Sequence, residues 1–239
     1  MSINIHIEGN GKPLVLFHGW GFDLEVWRPI IPFLANNFKL FLVDLPGFGL
    51  TTYMPWNEFK LKLLKKLPLK FAIAGWSMGG LLATKLALEE DRVTHLINIT
   101  SSPYFIKEDN WPGVKLKVFN SFYENLTTNY QQTLIDFVRL QLQGENHNEI
   151  KIPKVSLMDG LKSGLDLLSS CDLRKSLLQL KIPALYLFGR LDAIIPWRTM
   201  ISMRELYPNF NYYLFDDAAH VPFLSNKECF KNLLLDFLQ

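Results

Sequence analysis

Six residues constrain this chain more than any others: Gly75-Trp76-Ser77-Met78-Gly79-Gly80. They stand between the continuous apolar run Phe71–Gly75 (FAIAG) and the helix-like stretch Gly79–Glu90. The pattern G-x-S-x-G between a buried strand and a helix describes a sharp turn that strains the serine backbone and lifts its hydroxyl above the sheet edge. Side chains at the flanking glycines would collide with the neighbouring strand and helix. The helix N-terminus behind Ser77 adds partial positive charge that favours a developing oxyanion. Ser77 is therefore the candidate nucleophile, and the Met78 N–H one candidate oxyanion donor.

The rest of the chain supplies a scaffold for such a turn. Ile3–Ile7 alternates apolar and polar residues and reads as an edge strand. Leu14–Phe17, Leu40–Val43, Val93–Ile99, Ala184–Phe188 and Tyr212–Phe215 are apolar runs of the kind that form strands covered on both faces. Helical stretches intervene: Asn57–Leu67 with Asn57 as its cap, Gly79–Glu90, and a last amphipathic helix over Asn226–Leu238. Repeated strand–helix alternation predicts an α/β fold, a mostly parallel twisted sheet with helices on both faces. The rhythm breaks between Pro103 and Ser170, where helical patterns such as Val118–Leu126 and Gln131–Leu142 replace strands. This segment reads as a helical cap (103–170) inserted between the sixth and seventh strands, with 1–102 and 171–239 forming the core.

Serine alone is a weak nucleophile at neutral pH and needs a base, itself oriented by an acid. Gly189-Arg190-Leu191-Asp192 and Asp217-Ala218-Ala219-His220 each follow a late strand, at the sheet edge where α/β sites form. Of the five histidines, His6 and His95 fall in strands, His18 precedes a glycine loop and His147 lies in a polar part of the insert. That leaves His220 as the general base and Asp192 as its acid. Asp216 and Asp217 are rival acids that read as solvated or capping, and Asp44 as a loop-shaping residue. After the strand Leu14–Phe17, His18-Gly19-Trp20-Gly21 is placed to give a second oxyanion donor, the Trp20 N–H. The Trp20 side chain is expected to line an acyl pocket, and His18 to hold the loop.

Several classes are excluded. The net charge is only +2 over 239 residues, too weak for a nucleic-acid binder or a polybasic membrane anchor. The two cysteines, Cys171 and Cys229, form no metal-ligand pattern and no disulfide framework. Neither a metal constellation nor a Gly-rich phosphate loop accompanies the candidate residues, so the expected chemistry is acyl transfer without cofactor or metal. No signal peptide or membrane-spanning run is read, which leaves a cytoplasmic protein as the expectation.

With these residues assembled, and in the chain order Ser77, Asp192, His220, the sequence resembles the α/β-hydrolases. More narrowly it resembles the pimeloyl-[acyl-carrier protein] methyl ester carboxylesterases of biotin synthesis. The resemblance rests on the Trp20 and Trp76 motifs, Glu25-Val26-Trp27-Arg28, Asp44-Leu45-Pro46-Gly47-Phe48-Gly49 and Ser101-Ser102-Pro103. Trp111-Pro112-Gly113, Gly164-Leu165-Asp166-Leu167-Leu168 and Asp172-Leu173-Arg174 extend it into the insert. It implies an esterase acting on an acyl chain borne by acyl carrier protein, expected as a monomer. It also implies substrate contacts at Trp20, Ser77, Met78, Phe137, Val138, Arg139, Leu140, Gln141 and His220. Arg139, Lys115, Lys117, Lys151 and Lys154 could form a carrier-facing patch, though each alone reads as a solvated charge. The alternatives are an esterase or thioesterase for another small acyl ester, or a non-catalytic ligand-binding protein on the same scaffold. Epoxide and haloalkane hydrolases are disfavoured because they usually place Asp where Ser77 stands.

Overall fold

The computed structural model describes residues 2–141 and 158–239. His147, Lys151, Lys154 and the end of the expected helix at Leu142 lie outside them.

In chain order the first half runs β1 (Ile5–Glu8), β2 (Lys12–Phe17), a 3-10 helix (Leu24–Ile30), α1 (Ile31–Leu34), β3 (Phe38–Val43), α2 (Trp56–Leu64), β4 (Phe71–Trp76), α3 (Met78–Glu89) and β5 (Val93–Ile99). Then come α4 (Leu116–Thr128), α5 (Tyr130–Gln141), α6 (Met158–Ser170) and α7 (Arg174–Leu177). The core resumes with β6 (Ala184–Gly189), α8 (Arg198–Leu206), β7 (Asn211–Phe215), α9 (Pro222–Ser225) and α10 (Lys227–Phe237).

The strands form one seven-stranded sheet in the order β1-β3-β2-β4-β5-β6-β7. Only β1 runs antiparallel to its neighbour; all other pairs are parallel. The alternation of strand side chains divides the core. Val15, Phe17 and Ile73 pack on one face with Phe59 of α2, Leu81 of α3 and Met203 of α8. Leu14, Leu16 and Ala74 pack on the other with Leu34 of α1 and Leu234 of α10. Both faces are covered, which explains why β2, β3, β4 and β6 carry unbroken apolar runs rather than alternating ones.

Two expectations are corrected. The inserted helices fall between β5 and β6, the fifth and sixth strands of this sheet, not the sixth and seventh. The helix expected at Asn57 starts at Trp56, with the extended residue Pro55 at its cap and no side-chain cap bond. Proline's fixed φ already suits the approach to a first helical turn, so Asn57 is left inside that turn. The edges also moved: β3 begins at Phe38, because pairing with Lys12 and Pro13 of β2 extends the ladder beyond its apolar residues.

Candidate active site

Parallel topology brings the C-terminal ends of β2, β4, β5, β6 and β7 to one sheet edge. Ser77 leaves β4 there with φ 55° and ψ −120°, a region that costs a non-glycine residue roughly 1–3 kcal/mol. The surroundings hold it in place. Its N–H donates to Ile99 O at 2.9 Å, and its carbonyl accepts from the Gly80 N–H at 2.9 Å and from Ser101 Oγ at 2.7 Å. The flanking glycines are required by contact. A Cβ on Gly75 would lie 2.2 Å from Gly79 O, and one on Gly79 would lie 2.4 Å from both Phe17 O and His18 O.

Asp192 and His220 follow β6 and β7 and are both buried. Asp192 Oδ2 lies 2.8 Å from His220 Nδ1, while its Oδ1 accepts from the Ile194 and Ile195 N–H groups at 2.8 and 3.0 Å. An ionised carboxylate only accepts, so the bridging proton belongs to His220 Nδ1 and a neutral ring keeps Nε2 as its acceptor. Nε2 is buried and has no hydrogen-bond partner among the described residues. Beside Ser77, the His220 carbonyl is fixed by Trp76 Nε1 and Thr100 Oγ1, each donating at 2.8 Å. Thr100, with φ 43°, is the other non-glycine residue at positive φ among those described. Both strained residues thus follow neighbouring central strands, and Thr100 braces the histidine loop together with Trp76.

Rival acids are engaged elsewhere. Asp216 pairs with Arg190 at 2.6 Å, and Asp217 accepts from Asn226 Nδ2 at 3.1 Å. Asp44 shapes its loop by accepting from the Leu24 and Leu50 N–H groups and from Asn4 Nδ2, at 2.8, 2.9 and 2.8 Å.

The loop after β2 is held by His18. Its Nδ1 lies 2.8 Å from Gly19 O, and its Nε2 accepts from the Leu45 N–H at 3.0 Å. A carbonyl can only accept and an N–H only donate, so the ring is neutral with its proton on Nδ1. Burial pushes its pKa below the ordinary value, against the opposing pull of Asp44 and the Gly19 carbonyl. Trp20 follows, buried, with Nε1 donating to Leu161 O in α6 at 2.8 Å. Among the described residues, neither the Trp20 nor the Met78 backbone N–H donates to a protein acceptor.

Ser77 opens onto a cavity of about 140 Å³ whose lining is otherwise apolar. Trp20, Phe105, Val114, Val118, Phe119, Phe122, Phe137, Leu140, Leu165, Leu168, Ala193 and Ile194 complete its wall. Trp20, Phe122 and Phe137 meet edge to face or tilted, with centroids 5.1–5.3 Å apart.

The stretch 137–141 divides by helix face. Phe137 and Leu140 line the cavity. Val138 is buried in the second core cluster. Arg139 points to solvent beside Asp136, at 3.5 Å. Gln141 is buried, and its carbonyl accepts from the His220 N–H at 3.4 Å. Sequence reasoning did not single out the cavity residues of α4 and α6. Their helical spacing was visible, but spacing does not reveal which face turns toward Ser77. Among the described residues no cluster of His, Cys, Asp or Glu could hold a metal ion, and no helix is long and apolar enough to cross a membrane.

A crossover parallel sheet with its serine at a strand-to-helix elbow defines the class: the chain belongs to the α/β-hydrolase family, whose model, described as the alpha/beta hydrolase fold, matches residues 12–227. It is 52% identical to a pimeloyl-[acyl-carrier protein] methyl ester esterase of Legionella pneumophila (strain Corby), across 99% of this chain and 100% of the relative. A protein of the same name from Aeromonas salmonicida is 36% identical over the whole of both chains. Identity of this order along the full length places all three in one family. In fold, an esterase from Exiguobacterium antarcticum superposes with a TM-score of 0.88 at 22% identity, over 98% of this chain and 94% of the other.

Proposed function

We propose that this chain is a serine carboxylesterase that cleaves the methyl ester of pimeloyl-[acyl-carrier protein], the substrate named by its full-length relatives. The observation that carries the chemistry is a strained Ser77 lining an apolar cavity, with a buried Asp192–His220 pair held next to its elbow by Trp76 and Thr100 and with Nε2 unpartnered among the described residues.

In this reading His220 Nε2 takes the Ser77 proton as Oγ attacks the ester carbonyl carbon. The carbonyl oxygen becomes an oxyanion held by the Trp20 and Met78 N–H groups. Collapse of the tetrahedral intermediate expels methanol, which takes the proton from His220. Water then gives its proton to His220 and its hydroxide to the acyl carbon, and the second collapse frees the acid and returns the proton to Ser77. Asp192 fixes the ring tautomer and stabilises the imidazolium without being protonated.

Residues 103–170 would act as a cap over a core of 1–102 and 171–239, with Phe137 and Leu140 of the 137–141 stretch on the acyl chain. The chain would work as a cytoplasmic monomer and meet acyl carrier protein on the cap. The test is mass-spectrometric turnover of pimeloyl-[acyl-carrier protein] methyl ester by wild type and Ser77→Ala. Loss of one methyl group with wild type alone is the expected result. No turnover alongside cleavage of simple short esters would shift the assignment to another acyl ester, which an apolar lining without a charged side chain also accommodates.

A further inference from the structure

Helix α6 touches both proposed oxyanion residues, and it does so through a glycine. A Cβ on Gly164 would lie 2.6 Å from Trp20 Cδ1, 3.1 Å from Trp20 Nε1 and 2.9 Å from Met78 Sδ. One turn earlier, Leu161 O accepts the Trp20 indole N–H at 2.8 Å. At the start of the helix, a Cβ on Gly160 would lie 2.4 Å from Gly47 O, so the backbones meet there directly. Residues four apart share one helix face, and Gly160 and Gly164 together let that face press onto the core. On its far side Trp20 is met by Phe122 of α4 and Phe137 of α5, at 5.3 and 5.2 Å. Trp20 is therefore held from two sides.

We infer that Gly164 and the Leu161 carbonyl are positioning elements of the oxyanion hole: α6, seated by its glycines, sets the placement of Trp20 and Met78 and hence of their backbone N–H groups. The inference rests on the reading that these two N–H groups form the hole. Neither element touches the reacting atoms. Both act through the two residues that do. Interiors are too tightly packed to absorb an added methyl without moving a neighbour. Here the nearest neighbours are the indole and thioether of the donor residues. A displacement of about 1 Å in such a frame can cost on the order of a hundredfold in rate.

The test is Gly164→Ala, a change that helix propensity favours. Expected is a fall in kcat of about tenfold to a hundredfold, with KM on a short neutral ester moved by less than threefold. A packing role alone would not alter oxyanion stabilisation, so the second readout is a carbon-13-labelled trifluoromethyl ketone. Ser77 Oγ adds to its carbonyl carbon, the serine proton passes to His220, and the carbonyl oxygen becomes the alkoxide in the hole. Adduct affinity should fall in parallel with kcat, and the pKa of the hemiketal should rise. Trp20→Phe removes the bond to Leu161 and leaves room for the methyl. The double variant should therefore be faster than the product of the two single effects predicts.

Folded Gly164→Ala with wild-type kcat and wild-type adduct ionisation overturns the inference. So does strict additivity with Trp20→Phe. If Gly164→Ala does not fold, Trp20→Phe alone decides: wild-type kcat and adduct ionisation there also overturn it. Failure of the underlying reading looks different: if Ser77 is not the nucleophile, wild type itself forms no adduct, and if no oxyanion hole receives it, the wild-type adduct ionises like a free hemiketal.

Discussion

The sheet edge and the inserted helices are built on different principles. At the sheet edge nearly every group of the site is fixed by a directional bond. Ser77 is tied through its N–H and carbonyl, the Asp192 carboxylate through three hydrogen bonds, and His220 through its ring, its N–H and its carbonyl. Across the insert the cavity is walled by apolar surfaces, with aromatic rings that meet edge to face or tilted. Hydrogen bonds are geometry-specific, whereas apolar contact is non-directional and tolerates substitution of similar volume. On the proposed function, the comparison teaches that the reaction is specified at the edge, while acyl-chain preference would be specified by volumes that can be exchanged. The Trp20–Leu161 bond, the Gly164 contact and the Gln141–His220 bond are among the places where one region reaches into the other.

Four measurements can break or sharpen that division. The largest effect belongs to Ser77→Ala, which should lower kcat by about 10⁴-fold or more. Its melting temperature should stay close to that of wild type, since alanine keeps the Cβ and the backbone bonds that hold the turn. Retained turnover in purified protein would show that the edge does not carry the reaction. Next comes Asp192→Asn, which keeps the shape but leaves His220 without its orienting carboxylate. Single-turnover kinetics should show a loss of about 10³–10⁴-fold, largely insensitive to acyl length. A loss that varied strongly with chain length would blur the two regions.

Phe122→Ala tests the other side of the comparison. Removing one wall of the aromatic cluster should lower kcat/KM for a seven-carbon ester by about tenfold. An acetate ester should change by less than threefold. Equal losses on both substrates would mean that the insert, too, acts on the reaction itself.

The smallest effect concerns His18, which binds the two regions' common loop. Its folded pKa lies below its unfolded value, so the unfolded chain binds more protons in the window beneath about 6.5. Stability then rises with pH through that window and is lost on acidification, by at most about 1.4 kcal/mol per pH unit from one group. Partly buried His95 is shifted the same way, first by burial and then by Lys12, and adds a background slope. His18→Gln can still donate to Gly19 O and accept from the Leu45 N–H, and denaturant titrations should show its stability flatter than wild type between pH 7 and 5. An unchanged slope would remove His18 from the account.

Much of the edge was legible before the structure. Ser77, Asp192 and His220 stand just after apolar runs, and strands that are apolar throughout must be covered on both faces. A parallel sheet then carries the residues after such strands to one side. Local order was thus enough to locate the candidates, although Asn57 misled as a cap where Pro55 took the position. The insert was legible only as helical. Val118, Phe119 and Phe122 announced a helix face, but not what that face would meet. Within 137–141, contiguous residues pointed to the cavity, the core and solvent in turn.

What the sequence determined by itself is therefore the strand–turn–helix grammar of the core and the identity of its polar residues. Those depend on local periodicity, glycine sterics and chain order. Tertiary structure alone decided that Trp76 and Thr100 brace His220, that Gln141 reaches its N–H, and that Gly164 abuts Trp20 and Met78. Such contacts join residues 79 to 144 positions apart, and they follow from the order of the core strands in the sheet and from how helices of the insert dock on its edge. Packing fixes that docking by shape, and shape is a property of the assembled surfaces rather than of any one segment.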